Sequence, residues 1–483
     1  MLKKAEVCNF VVLKGCYIIS VQMKKYLSFI IASLLVSTVG AQGFVEDGIA
    51  YALLPGSPGC CEVTYDPAVT YGGIVNIPAA VVYEGEELAV VGIGPYAFAG
   101  SWSLSAVSLP ASVRYLGRNA FQSCSSLTSI SLSPEVSTVG DQAFYSCSSL
   151  ASFMGEGVTE IGNAAFSGCS SLYDFKAGKL YYLGDGAFGS CSSLVSFTLP
   201  DGIRLGKGVF AGCTSLESVT LPESMTVIPE YTFSDCVALK RVENSWGVTE
   251  IGDYAFNTCK SLQTFEFGVN VSSIGRGAFG FCADLAVDSI RGDNATIGAY
   301  AFTGCTSLSE LKLSGVEEIG EEAFANAVSL KSLRFFTPLH YIRDRAFRNC
   351  GAISFVGCYL NQPPFMSASA FDSEVYSRAE LNVLFGKGLL YRQSPPWSNF
   401  VFVTELPEDD NTSVGKIEEI SSIEYAYGIL SVSGAPGVVR IHTIDGLSIF
   451  EGSKGEDELR VPLARRGLVI VSYNGNSAKV LAY

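Results

Sequence analysis

Histidine is almost absent from this chain, and so is any concentration of positive charge. Only His340 and His442 occur in 483 residues, which disfavours sites that need several imidazole groups for acid/base catalysis or metal binding. The chain has 47 acidic and 32 basic residues, giving a formal net charge of −15. An acidic chain without a basic block is a poor ligand for phosphate backbones, so nucleic acid is not an expected partner.

The sequence also lacks the short motifs that carry catalysis or cofactor binding. It contains no nucleophile elbow, no phosphate-binding loop and no closely spaced CxxC pair. Its acid-rich loops lack the alternating acids and glycine of a calcium-binding loop. We therefore expect no enzymatic activity, no catalytic residues, no metal and no cofactor.

One apolar stretch stands near the N-terminus, and no other run is long enough to suggest a membrane span. Two lysines precede an apolar segment at 27–36, and small residues follow it. This order is typical of a secretory signal peptide, which we predict at 23–41 with cleavage after Ala41. Residues 1–22 are then interpreted as a start site assigned too early. The mature protein is expected to be extracellular or on the outer cell surface.

What the chain does contain is an octapeptide that returns at a fixed period. AFQSCSSL at 120–127, AFYSCSSL at 143–150 and AFGSCSSL at 187–194 are three of its copies. A fixed period of 22 to 24 residues predicts a solenoid, in which each unit buries its apolar face by stacking on the next. The phenylalanine of the motif recurs at Phe98, Phe121, Phe144, Phe166, Phe188, Phe210, Phe233, Phe256, Phe279, Phe302, Phe324, Phe347 and Phe371.

Each unit combines a bend with a short strand. An aliphatic residue and a glycine precede the phenylalanine by five and four places, as in Ile161-Gly162. The glycine suits a bend that needs positive φ or close backbone approach. Six places after the phenylalanine an alternating stretch begins, such as LTSISL at 127–132, which is typical of a strand with one buried face. We predict a leucine-rich-repeat solenoid of about 13 coils, with short parallel strands joined by turns or short helical segments.

A cysteine three places after the phenylalanine is the other recurring feature. Disulfides are an alternative in an exported protein, because stacked coils would bring Cα atoms about 5 Å apart, but parallel Cβ vectors disfavour them. Ser101 and Ala327 occupy the same position in two coils, so it takes any small side chain. We interpret the ladder as buried structural thiols, with disulfides and metal as the alternatives. Its members are Cys124, Cys147, Cys169, Cys191, Cys213, Cys236, Cys259, Cys282, Cys305 and Cys350.

The segment SLTSISLSPEVSTVGDQAFYSCSSL resembles the BspA-like leucine-rich repeats, which are common in exported proteins of Bacteroidetes and some other microbes. The similarity covers about 90–372 and rests on a dozen copies of IGxxAFxxCxSL. It implies a surface protein with a role in adhesion, since members are associated with binding to extracellular matrix. One coil departs from the pattern. Asp288 stands where other coils bury Val or Phe, so we expect a distorted or shifted strand there.

The segments that flank the repeat are predicted to cap the two ends of the solenoid. Residues 42–89 lack the motif and are predicted to form an N-terminal β cap. Residues 373–406 are predicted to form the C-terminal cap, in which Trp397 and Phe400 cover the last coil.

A short linker at 407–412 leads to a segment of different character. Residues 413–483 alternate between strand-like stretches and turn signals and are predicted to form a small β-sandwich. Through VRIHTIDG, LARRGLVIV and the final Lys479-Val480, this segment resembles the C-terminal sorting domains of the type IX secretion route of Bacteroidetes. The resemblance implies that the segment is a sorting signal for export.

Two features could contact a partner. The strand positions that point outward are small and neutral in the early coils and charged in the later ones, although this face could also be merely solvated. An RGD tripeptide, which integrins can read, is expected in a turn just past a strand. The candidate partner-binding residues are Glu217, Lys240, Arg241, Glu243, Glu266, Arg291, Gly292, Asp293, Glu310, Lys312, Lys331 and Arg334.

These features favour a secreted or cell-surface binding and adhesion protein whose solenoid contacts a protein or glycan, including components of the extracellular matrix. The alternative is a structural or assembly module of a surface complex without a ligand of its own. An enzyme is disfavoured because no acid/base constellation is present.

Overall fold

The computed structural model describes residues 43–407 and seven strands located between 423 and 482. The predicted early start, the signal peptide and nearly all of the predicted linker lie outside the described residues. In the part of the chain that the structure describes, no helix is long and apolar enough to cross a membrane.

The N-terminal segment is built from strands and supplies one of them to the solenoid. Its strands are β1 (Gly43–Glu46), β2 (Ile49–Leu53), β3 (Cys60–Val63), β4 (Gly72–Asn76), β5 (Ala80–Tyr83) and β6 (Glu86–Ile93). Five of them form one sheet in the order β1-β2-β3-β6-β5, while β4 pairs in parallel with the strand of the first coil. Tyr71 packs edge-on against Phe98, with ring centroids 4.7 Å apart, and so covers the first ring of the repeat.

The repeat segment is a parallel-strand solenoid, as predicted for a leucine-rich repeat. Its strands are β7 (Ser103–Ser108), β8 (Ser129–Ser131), β9 (Thr138–Val139), β10 (Ser152–Gly155), β11 (Glu160–Ile161), β12 (Asp174–Ala177), β13 (Tyr182–Leu183), β14 (Ser196–Thr198), β15 (Arg204–Leu205), β16 (Ser218–Thr220), β17 (Val227–Ile228), β18 (Arg241–Glu243), β19 (Glu250–Ile251), β20 (Val271–Ile274), β21 (Ser289–Ile297), β22 (Glu310–Ile319), β23 (Ser332–Phe335), β24 (Tyr341–Ile342), β25 (Phe355–Cys358), β26 (Phe365–Met366), β27 (Glu380–Val383) and β28 (Phe402–Glu405).

Most coils carry two strands, one on each of two faces. The strand that follows the repeated leucine forms the broader face, which we call the strand face. In many coils a second strand of two residues lies just before the repeated glycine. These short strands form a narrower sheet on the other face, for example β9-β11-β13-β15. In β21 and β22 the two strands merge into one long strand that turns the corner between the faces.

The repeated phenylalanines form one continuous stack through the core. Thirteen rings, from Phe98 to Phe371, are separated by twelve turns, and neighbouring centroids lie 4.9 to 5.6 Å apart. Each ring is buried, so every coil depends on its neighbours to remove its largest apolar side chain from water.

The cysteine ladder consists of free, buried thiols, which confirms the structural interpretation. Each ladder thiol also donates a hydrogen bond to the phenylalanine carbonyl of the preceding coil, at 3.0 to 3.2 Å. The cysteine therefore does more than fill a small space, because it ties each coil to the one before it. Burial raises the pKa of most of these thiols, for example that of Cys213 to about 12.

The bend is built from turns, which is one of the two forms predicted for the connections. Several tight turns follow one another, and the residues two places before and two places after the phenylalanine adopt positive φ, as at Asn119 (57°) and Ser123 (58°). The glycine before the bend serves close approach. A Cβ at Gly162 would lie 2.6 Å from the amide nitrogen of Asp141 in the preceding coil.

The coil that contains Asp288 is shifted, as predicted. Asp288 is exposed, while Val287 and Ile290 on either side of it are buried. The preceding coil has only an isolated bridge, between Arg241 and Thr264, on its strand face. Parallel pairing on the strand face resumes with β21 and β22, from Ser289 paired with Lys312.

The C-terminal end of the solenoid is closed by aromatic residues, as expected. Phe400 packs edge-on against Phe371, with centroids 5.9 Å apart, and the Trp397 indole donates to the Pro364 carbonyl at 2.9 Å. This segment also contains helices α1 (Ser373–Arg378) and α2 (Gly388–Arg392) and a 3-10 turn at Trp397–Asn399. A further 3-10 turn lies at Ser245–Gly247.

The C-terminal segment contains β29 (Ile423–Ala426), β30 (Ile429–Val432), β31 (Gly437–Thr443), β32 (Ser448–Lys454), β33 (Leu459–Pro462), β34 (Gly467–Tyr473) and β35 (Asn476–Ala482). They form two antiparallel sheets, with orders β29-β30-β33 and β32-β31-β34-β35. That these sheets pack as a sandwich stays a prediction, and so does the resemblance to a sorting domain.

Candidate binding surface

The outward side chains of the strand face align from coil to coil. Parallel pairing places Ser131, Met154 and Lys176 side by side, and it does the same for Thr198, Thr220 and Glu243. Further along, Ser289, Lys312, Arg334, Gly357, Asn382 and Thr404 share one row. The candidate residues on this face therefore lie on a common, regularly spaced surface.

The first group of candidate charges is neutralised within the protein. Lys240 Nζ lies 3.0 Å from a Glu217 carboxylate oxygen, and Arg241 Nε donates to Glu243 at 3.0 Å. Glu243 also accepts from the Thr220 hydroxyl at 3.0 Å. Because these pairs are about half exposed, they contribute little to stability. Because each positive charge is paired with a carboxylate, the group presents no excess charge to a partner.

The second group presents an excess of positive charge, which we call the cationic patch. It comprises Glu310, Lys312, Lys331 and Arg334. Lys312 on β22 and Arg334 on β23 are direct register partners, so two like charges stand on neighbouring strands about 4.8 Å apart.

Arg334 is held within the protein, whereas the two lysines are not. Its guanidinium lies 3.9 Å from a Glu310 oxygen and 5.0 Å above the centre of the Phe355 ring. Burial raises the pKa of the nearby Tyr359 hydroxyl, and the Arg334 charge partly opposes that rise. Among residues 43–407, neither Lys312 nor Lys331 has an ion-pair partner for its ammonium group, which leaves both available to an external anion.

The RGD tripeptide does not lie in a turn, so that expectation is wrong. Arg291, Gly292 and Asp293 are inside β21, where the pairing with β22 shifts register. The Arg291 and Asp293 side chains are exposed, but a Cβ at Gly292 would lie 2.8 Å from the carbonyl oxygen of Gly315. The tripeptide is thus part of a packed corner between the two faces. Glu266, the remaining candidate, is exposed in the coil before it.

The structure also shows a groove that the sequence analysis missed. Between β12 and β14 the strand ladder is interrupted, and an open groove of about 500 Å³ lies there. We call it the Tyr173 groove, after the tyrosine at its rim. A signal was present in the sequence, because the position seven after the phenylalanine carries bulky Tyr173 and Val195 in consecutive coils, where most other coils carry small or polar residues.

The few groups capable of acid/base or metal chemistry do not converge. His340 is exposed and its Nδ1 lies 3.2 Å from a Glu317 oxygen at the edge of the solenoid. In the part of the chain that the structure describes, no cluster of three His, Cys, Asp or Glu side chains could hold a metal ion. That the protein is not an enzyme stays a prediction.

Comparison with known proteins gives one family match. The family model described as BspA type leucine rich repeat region matches residues 91–205, 182–287 and 245–354. These ranges together span 91–354, which is more than half of the 483 residues. No curated protein sequence matches the chain.

Several solved structures of bacterial proteins are similar in part. A leucine-rich repeat protein from Bacteroides ovatus is 24% identical over 75% of this chain and 100% of its own, with a TM-score of 0.49. A leucine rich cell surface protein from Faecalibacterium prausnitzii is 20% identical over 78% and 98%, with a TM-score of 0.40. The pneumococcal vaccine antigen PcpA is 17% identical over 77% and 100%, with a TM-score of 0.48.

Proposed function

This chain belongs to the BspA type leucine-rich repeat family, and on that premise we propose that it is an exported, surface-located binding protein that contacts a protein partner through the strand face of its solenoid. The protein is not an enzyme in this proposal. The solenoid acts as a rigid platform, because each coil is fixed by its neighbours and the outward side chains keep a constant spacing.

The observation that carries the proposal is the cationic patch. In a chain of net charge −15, Lys312 and Arg334 stand on neighbouring strands and Lys331 directly precedes β23. Like charges side by side repel each other, and neither Lys312 nor Lys331 has an ion-pair partner among residues 43–407. A partner with an acidic surface would relieve that repulsion, and it would gain orientation and association rate from the match of charge.

The test is capture of purified extracellular-matrix proteins by the full-length protein and by two variants. Lys312→Glu with Lys331→Glu reverses the unpaired charges of the patch and should weaken capture at least about tenfold. Both side chains lack ion-pair partners among residues 43–407, so thermal unfolding should not change.

Lys179→Glu with Lys260→Glu is the matched control. It changes the net charge equally, but both exposed lysines lie in a bend or a turn away from the strand face, and neither has an ion-pair partner among residues 43–407. Equal loss of capture in both variants would show a general charge effect and contradict the assignment of the patch. Failure of every matrix protein to bind would contradict matrix adhesion and favour the structural-module alternative.

A further inference from the structure

The Tyr173 groove lies where cross-coil backbone bonds of the strand ladder are missing, between β12 and β14. In the preceding coil, the Tyr173 amide bonds to the Ala151 carbonyl at 3.1 Å, and in the following coil, the Glu217 amide bonds to the Val195 carbonyl at 2.8 Å. Between these two coils the equivalent bond, from Val195 to Tyr173, is not formed. The strands splay, and the stacking of inward rings loosens from 5.2 Å for Phe153 and Phe175 to 6.0 Å for Phe175 and Phe197.

The groove combines an exposed aromatic ring with polar walls. The Tyr173 side chain is 67% exposed at the rim, and Phe175 and Phe197 form the floor. One wall carries Asp174 and Lys176, and the other carries the hydroxyl groups of Ser196 and Thr198. The volume of about 500 Å³ lies within the range of roughly 300–1,000 Å³ that is typical of small-molecule sites.

The charge of the walls decides the class of ligand. Lys176 Nζ lies 3.4 Å from an Asp174 carboxylate oxygen, so the groove carries no excess charge with which to select an ion. A purely apolar group would cover Phe175 but would leave the carboxylate, the ammonium group and two hydroxyl groups without partners. A sugar ring suits both the aromatic surface and the polar walls, since its apolar face stacks on an aromatic ring and its hydroxyl groups donate and accept hydrogen bonds.

We propose that the Tyr173 groove is a glycan-binding site for a neutral sugar residue. Tyr173 stacks on the sugar ring, and Asp174, Lys176 and the two wall hydroxyl groups bond to its hydroxyl groups. This site lies in the early coils, apart from the cationic patch, and it does not depend on the protein partner proposed above.

The experiment is binding of the full-length protein to a printed array of neutral and acidic glycans, followed by titration of the strongest neutral glycan. We expect binding to neutral glycans that Tyr173→Ala weakens at least tenfold. Tyr145→Ala removes another exposed tyrosine, which lies in a turn outside the groove, and should bind like the wild type. Binding should also persist when NaCl is raised from about 0.05 to about 0.5 M, because no ion is recognised.

Three results would overturn the proposal. They are the absence of any neutral glycan above background, unchanged binding by Tyr173→Ala, and binding confined to sulfated or sialylated glycans that salt abolishes. Thermal unfolding of Tyr173→Ala should match the wild type because the side chain is exposed. The variant with Lys312→Glu and Lys331→Glu should keep its glycan binding, so the two proposals can fail separately.

Discussion

Replacing a single ladder thiol tests how the coils are held together. Cys191 is fully buried, and its Sγ donates to the Phe166 carbonyl at 3.2 Å. Cys191→Ala removes this hydrogen bond and leaves a small cavity, but the Phe166 carbonyl keeps its bond from the Cys169 amide at 3.0 Å. The expected loss in the free energy of unfolding is therefore about 1–2 kcal/mol, without the larger penalty of an unsatisfied carbonyl.

The reverse substitution gives a change of opposite sign. Ala327 occupies the thiol position in one coil and is fully buried there. Ala327→Cys adds the missing thiol facing the Phe302 carbonyl, which already accepts from the Cys305 amide at 3.2 Å, and should stabilise by about 1 kcal/mol.

Urea unfolding under reducing conditions, with the dependence on denaturant unchanged, is the assay for both variants. No effect from Cys191→Ala, together with a loss from Ala327→Cys, would refute the role assigned to the thiol. A loss above about 4 kcal/mol for Cys191→Ala would show that the thiol does more than fill a small space and donate one hydrogen bond.

Three further predictions concern the whole chain. Burial raises the pKa of nine ladder thiols, so the folded state binds their protons more tightly than the unfolded state does. The free energy of unfolding should therefore be fully present below the unfolded thiol pKa of about 8.5 and should fall steeply as the pH rises above it, which alkaline titration followed by circular dichroism would measure. Gly184→Ala places a Cβ 2.6 Å from the Asn163 amide nitrogen and should cost about 3 kcal/mol or more in thermal unfolding, whereas Gly351→Ala, with open space around it, should cost under about 0.5 kcal/mol. Removal of residues 413–483 should leave the unfolding of the solenoid unchanged but alter where the protein is found by cell fractionation, and loss of solenoid stability would show that this segment is a cap.

The architecture was predictable because its physical causes repeat. A phenylalanine every 22 to 24 residues can be buried in every coil only if the coils stack in register, and the ring stack from Phe98 to Phe371 realises this. The shift at Asp288 was predictable for the same reason, since a carboxylate cannot occupy a buried apolar position without a partner.

The conformation of the bend was not predictable from side-chain pattern. Positive φ occurs at Asn119 and Ser123 and at the matching positions of other coils, where residues as different as Tyr231 and Glu322 adopt it. Neighbouring coils impose this conformation through hydrogen bonds such as that from the Asn119 amide to the Asp141 carbonyl at 2.9 Å. Such constraints come from stacking, so no residue preference reveals them in a single copy.

The candidate surface was also predictable only in part. Which residues point outward followed from the alternation of each strand, but how their charges combine depends on contacts across coils. Lys240 meets Glu217, its equivalent in the preceding coil, and is neutralised, while Lys312 meets Arg334 and is not. The RGD tripeptide was misplaced because β21 continues around a corner where a regular coil would turn.

The irregular positions are where a repeat of this kind has room for a specific function. On a regular strand face the backbone groups pair from coil to coil, and only side chains at constant spacing are exposed. A face that is merely solvated has the same features, so regularity alone does not indicate a binding site. At the Tyr173 groove a ladder bond is lost, an aromatic ring is exposed and two wall hydroxyl groups face a charge pair. An exposed ring and a broken ladder both cost free energy. This cost sets the groove apart from the serine-rich face beside it and is the physical reason to look for the ligand there.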